Sequence, residues 1–448
     1  MKAWHYSLAL AALVSIPCAQ AQAQRKPGEQ GSRNMKIMSH IPLGCALCIA
    51  DIDIEQELSR PYAYITRRLT PAGFQIVNLK DPAKANVMYS WWIENPALHQ
   101  GAGGLGPAYA KTHGRYYFIS SFQFTQGGPD ADLGAIVFDV TGLPDTSKIK
   151  EVGRIREPGA PGGFHEDYTY KHSSGAALLF TTTQSAFANI YDIDKFVAGD
   201  AKQGLVGRIE NPTPPNAAPG QVFRGWHDFY VGYDPVSHQD RFYGAGAGGY
   251  FVFDVTDVSQ PKLLSSVVGV RGLERGHTFT PDPTGRYAIA ESEYQYAPLR
   301  VIDLKPTGDT LAKTVARPVG AYIADWKGLP HNHEVRWPYV FVSHYEDGLQ
   351  VFNMMDPTNP YTVGFYDTYD GPTKIGACGD NVCNGAFGVD VRNADGLIVI
   401  SDLTTGFWAF KMEGFDGWNG HQWGMPNVSS AQDWDNGPEG APKPQKVS

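Results

Sequence analysis

The chain has 448 residues, including 50 Gly, 32 Pro, 10 Trp, 23 Tyr and 22 Phe, with 19% charged residues and a net charge of −9. Glycine and proline both exceed their averages of about 7% and about 5%, and aromatics favour strands, which excludes a coiled coil, a disordered chain and a mainly helical protein. No cationic run is longer than pairs such as Arg67-Arg68, so nucleic acid, which demands a basic face, is excluded as a partner.

In chain order, the first element is an address. Lys2 supplies a positive start, Ser7 to Ile16 is apolar, and Ala19-Gln20-Ala21 and Ala21-Gln22-Ala23 offer small-x-small cleavage sites. This reads as a secretory signal peptide over residues 1–23 and predicts a periplasmic or secreted protein. The apolar run is too short for a membrane span, and no later run is long enough. Cys18 follows Pro17 rather than the small residue that a lipidation site requires. An N-terminal segment, 24–48, carries Cys45 and Cys48, and Cys378 and Cys383 lie far downstream. An even cysteine count in an exported protein predicts disulfides, paired either locally or between the two ends of the chain.

From residue 49 one strand pattern recurs, an apolar run ending in Asp or Asn. The copies are Phe74-Gln-Ile-Val-Asn78, Ala135-Ile-Val-Phe-Asp139, Ala188-Asn-Ile-Tyr-Asp192, Tyr250-Phe-Val-Phe-Asp254, Leu299-Arg-Val-Ile-Asp303, Leu349-Gln-Val-Phe-Asn353 and Phe407-Trp-Ala-Phe-Lys411. Their last residues are 49 to 62 positions apart. Another β-branched or aromatic strand precedes each copy, as Tyr116-Tyr-Phe-Ile119 and Tyr339-Val-Phe-Val342 do, with Gly or Asp between the two. Three to four short strands per repeat of about 50 residues is the signature of a propeller blade. The pattern predicts an all-β, seven-bladed β-propeller over residues 49–415, followed by an irregular tail over 416–448.

Leu299-Arg-Val-Ile-Asp303, with its looser copies, resembles the LVIVD repeat of exported seven-bladed propellers, a largely uncharacterised family. The resemblance spans residues 49 to 412. It implies the fold and export, and names no chemistry.

Laying the repeats over one another places histidines in one register. His165, His227 and His277 precede their repeat ends by 27, 27 and 26 residues. His333 precedes Asn353 by 20, in a blade with a shorter first hairpin, and Phe387 takes the matching place in the seventh repeat. Inner strands of a propeller line its channel, so equivalent positions form a ring. Converging neutral imidazoles suit Fe, Cu or Zn, and a partial ring leaves room for water or substrate. His165, His227, His277 and His333 are therefore the candidate metal ligands. The arrangement is similar, in architecture alone, to the four-histidine iron site of the carotenoid-cleavage oxygenases. His331 is an alternative ligand or a loop residue.

Strand alternation turns Glu166, Asp228 and Glu334 away from their neighbouring histidines, towards roles as acceptors for an imidazole N–H. Asp51-Ile-Asp53 and Glu291-Ser-Glu293 read as solvated faces. Gly101-Ala-Gly-Gly-Leu-Gly106 and Gly244-Ala-Gly-Ala-Gly-Gly249 lack the setting of a phosphate loop and read as turns or close backbone approaches. His331-Asn-His333-Glu334 lacks the second histidine of a zinc-protease helix, with Trp337 in its place. The expected function is a metal-dependent oxidoreductase or oxygenase acting on a small organic or aromatic substrate. The competing expectation is a non-catalytic propeller that binds a protein or glycan, with the histidines as internal struts.

Overall fold

The computed structural model describes residues 30–437, apart from 45, 70, 125–127, 129, 214–223, 274, 370–383 and 419–432. The expected signal peptide, Cys45, Cys378 and Cys383 lie outside the described residues, and with them the expected cysteine pairing. Cys48 is buried.

Seven separate sheets, one per repeat, account for nearly all the regular structure. In chain order their inner strands are Ile49–Ile54, Ala102–Thr112, Asp167–Lys171, Trp226–Asp234, Thr278–Pro281, His333–Arg336 and Ala386–Arg392. Each is followed by antiparallel second and third strands, as in blade 1, where Ile49–Ile54, Tyr62–Arg67, Gly73–Asn78 and Asn86–Trp92 meander outwards. Every recurrent string forms the third strand of its blade. Its terminal Asp or Asn accepts a backbone N–H two residues on, at Asn78, Asp139, Asp254, Asp303 and Asn353. That Asx turn sends the chain towards the outer strand, which is why the repeat ends on this residue type.

The ring closes with the N-terminal segment. Met35–Ile41 pairs antiparallel with Gly406–Met412 and supplies the outer strand of blade 7. Part of the segment 24–48, expected to precede the propeller, therefore belongs to it. An inner-strand contact completes the seam, where the Ile54 N–H donates to Asp390 Oδ2 at 2.9 Å. From the tail, buried Trp434 packs near Tyr109.

Aromatics fill the wedges between blades. Phe74 of blade 1 meets Phe118 and Phe138 of blade 2 at ring separations of 4.6 and 4.9 Å. Trp226 is fully buried against Phe242, Phe251 and Phe253, and its Nε1–H donates to the Ile209 carbonyl. Among the described residues no helix is long and apolar enough to cross a membrane.

Candidate metal centre

At the start of the inner strands, four imidazoles from four successive blades stand side by side. His165 Nε2 lies 3.1 Å from His227 Nε2. The ring centres of His227 and His277 are 4.2 Å apart, and those of His277 and His331 are 4.8 Å apart. Three of the predicted ligands thus stand next to one another in this row, and the fourth position is taken by His331 in place of His333. The backbone shows why. The His277 N–H donates to Glu291 O on its second strand, and the His331 N–H makes the same bond to Ser343 O. The shorter hairpin of blade 6 accounts for only part of its offset, and the remaining two residues shift the register from His333 to His331. Phe387 occupies the next place, as expected, and its ring meets His331 at a tilt with centres 3.7 Å apart.

Three of the four imidazoles are oriented from behind. His165 Nδ1 donates to Gln123 Oε1 at 2.7 Å, His277 Nδ1 to Glu291 Oε2 at 2.5 Å, and His331 Nδ1 to the Phe387 carbonyl at 2.7 Å. Tying Nδ1–H to an acceptor leaves Nε2 to face the channel, the arrangement typical of histidine metal ligands. His277 Nε2 and His227 Nδ1 are buried without hydrogen-bond partners. Glu293 approaches His277 Nε2 to 3.5 Å, and its own carboxylate accepts from the Tyr345 hydroxyl. Ligand atoms of His227, His277 and Glu293 lie within 4.8 Å of one another.

Burial dominates the protonation states. It pushes His165, His227 and His331 well below the usual imidazole range. Burial also lowers His277, but Glu291 and Glu293 outweigh it and hold the group up at about 9. Glu291 is itself raised to about 7 by burial, against the pull of His277. A cation at this site would displace the His277 Nε2 proton. Glu291-Ser-Glu293, read from the sequence as a solvated face, is therefore corrected. Glu291 is fully buried and, with Glu293, forms the carboxylate side of the centre.

One to three residues further along the inner strands lies a cavity of about 100 Å³. Asp51, Asp53, Glu166, Asp167, Asp228, Glu334 and Asp390 line it, together with His333. Neither ring nitrogen of His333 has a hydrogen-bond partner, and burial followed by the charge of His277 pushes the group down to about 3. Asp51 and Asp53 are buried here, not solvated as expected. Glu166 and Asp228 also face this interior. In blade 4 the register slips between Trp226 and Asp228, so His227 is a bulge residue and strict alternation fails. Burial raises the Asp51, Asp53, Glu166 and Asp167 carboxyls well above the usual range, and neighbouring acids add to the rise at the first three. Asp228 is raised to about 6.

Glycine makes the acidic layer possible. A Cβ on Gly106 would lie 2.2 Å from Glu166 Oε1, and one on Gly388 would lie 1.9 Å from Asp51 Oδ1. The expectation of close backbone approach thus holds for Gly106. Next to His331, Phe387 and Tyr345 belong to one apolar cluster with Ala50 and Leu105.

No protein-family description matches the chain, and neither does any curated protein sequence. The LVIVD resemblance therefore rests on the repeat strings alone. Among solved structures, the chain is similar to the WD40 β-propeller domain of Doa1, with a TM-score of 0.50 and 10% identity over 85% of this chain and 97% of that one. At that identity the likeness concerns the fold.

Proposed function

We propose that the protein is a metal-dependent enzyme, an oxidoreductase or oxygenase for a small organic substrate, with His165, His227, His277 and His331 holding one transition-metal ion in the channel. The supporting observation is the set of four adjacent imidazoles, three of them with Nδ1 tied back. Neutral nitrogen donors with a carboxylate behind them suit Fe, Cu or Zn. Such an ion supplies Lewis acidity and, as iron or copper, one-electron chemistry.

The remaining roles fall to the chain's own groups. Glu291 keeps the proton on His277 Nδ1, while Gln123 and the Phe387 carbonyl set the other rings. Phe387, with Ala50 and Leu105 in its cluster, keeps water from the side of the centre next to His331. Glu293, beside His277 Nε2 and hydrogen-bonded to Tyr345, is placed to move a proton to or from a substrate. The leader over residues 1–23 supports export, which would deliver the protein to a periplasmic or secreted location.

The test is metal analysis after chelation and reconstitution with Fe(II), Cu(II) or Zn(II) in turn. Wild type is expected to retain about one ion per chain and His277→Ala to retain none. A wild-type chain that takes up no stoichiometric ion would sink this reading and favour the histidines as struts of a binding propeller.

A further inference from the structure

The channel is electrically lopsided. Its interior is lined by carboxylates, whereas arginines gather at the mouth on the histidine side. A cavity of about 190 Å³ opens there between blades 4 and 5, bounded by Arg224, Arg275, His227, His277 and Glu293. Arg224 Nη1 is buried and has no hydrogen-bond partner. A guanidinium nitrogen removed from water without an acceptor is costly unless something else supplies one.

Glu293 is the acid that lines this cavity, but it accepts from Tyr345 and faces His277. Burial and the like charge of Arg275 act together to lower the Arg224 guanidinium to about 10. Two cations side by side, one with a sheltered and idle donor, form a socket for an anion. Beyond His331, Phe387 and Tyr345 lie at ring distances of 3.7 and 5.3 Å from that imidazole, with the Arg68 guanidinium 5.8 Å above the Phe387 ring.

We propose that this mouth is a carboxylate-binding subsite. Arg224 and Arg275 hold the anionic head of a small amphipathic acid, and its apolar body lies across the imidazoles towards Phe387 and Tyr345. Arginine is suited to the task because its planar fork matches both carboxylate oxygens. The proposal builds on the metal reading, for it names the substrate class of the same site. It can nonetheless be tested without metal, because neither arginine needs the ion to bind an anion.

The experiment is calorimetric titration of chelated, metal-free protein with benzoate and with its neutral counterpart benzamide. Benzoate is expected to bind more tightly by about tenfold or more, the size of one charge-assisted hydrogen bond. Arg224→Ala and the gentler Arg224→Gln should each erase that preference while leaving the circular dichroism spectrum and melting temperature of the fold unchanged. Inorganic phosphate should bind more weakly than benzoate, because it cannot pack on the Phe387 and Tyr345 rings.

Equal affinity for benzoate and benzamide in wild type would overturn the proposal. So would a preference that survives in an Arg224→Ala, Arg275→Ala double variant, or phosphate binding as tightly as benzoate. Loss of the preference in a protein that still takes up metal removes only the subsite. A preference that depends on Arg224 in a protein that takes up no metal removes only the metal reading.

Discussion

His331 and His333 share one strand face but sit about 6–7 Å apart along it, two residues at about 3.3 Å each. That distance separates two chemistries. His331 lies among imidazoles with its Nδ1–H tied to the Phe387 carbonyl, whereas His333 lies in the acid-lined cavity with neither nitrogen bonded. Hence His331→Ala should weaken metal retention severely and His333→Ala should leave it near wild type, as read by bound metal per chain. Glu291→Gln should weaken metal affinity by about 10–100-fold, the usual cost of losing a carboxylate behind a histidine ligand, and competition with a chelator measures it.

The sequence placed three of the four imidazoles because three blades keep one hairpin length. It missed the fourth because a loop-length difference can be resolved only by backbone pairing. It missed Glu291 because the position opposite Thr278 on the second strand looks, in one dimension, like any strand-end acid. The signal that could have found it is the register itself. Thr278 faces Glu291 across the hairpin, which puts the carboxylate beside the preceding histidine.

At the scale of the element, the inner strands carry the candidate site and the third strands carry the visible repeat. The Asp or Asn that ends a third strand makes a local turn bond, so it recurs visibly along the chain. The alternation rule misplaced Asp228 because the inner strand of blade 4 bulges at His227, and misplaced Glu166 because it precedes the regular pairing of Asp167–Lys171. Crowding these acids has a pH signature. Asp53 has its carboxyl raised well above the usual range by burial first and then by Asp390. A carboxyl whose folded-state pKa lies above its unfolded value destabilises the fold once pH rises past about 4, its unfolded value, and the penalty levels off above the folded value. Asp53→Asn, which keeps an oxygen for the Tyr109 N–H that donates to Asp53 Oδ2, should therefore raise the melting temperature at pH 7. The gain should shrink as pH falls and vanish below about pH 4. A gain unchanged at pH 3.5 would contradict the electrostatic cause.

For the whole molecule, closure matters more than any single blade. Met35–Ile41 completes blade 7 and covers the edge of Gly406–Met412, where His40 stacks on Trp408 at 3.7 Å. Deleting residues up to 41 would expose that edge, and uncovered edges pair with other chains. Gel filtration should then show higher-order species, and thermal unfolding should lose its single transition. The sequence foretold seven blades because each repeat carries its own strands. The closing strand escaped notice because it occurs once and has no repeat to match.

The proposed chemistry depends on a single ion among His165, His227, His277 and His331. X-ray absorption at the metal edge of reconstituted protein tests it most directly. The account predicts a shell dominated by imidazole nitrogens at about 2.0–2.2 Å, with the imidazole signal reduced in His331→Ala and unchanged in His333→Ala. A shell of oxygen ligands without imidazole, or one that loses an imidazole only in His333→Ala, would contradict it.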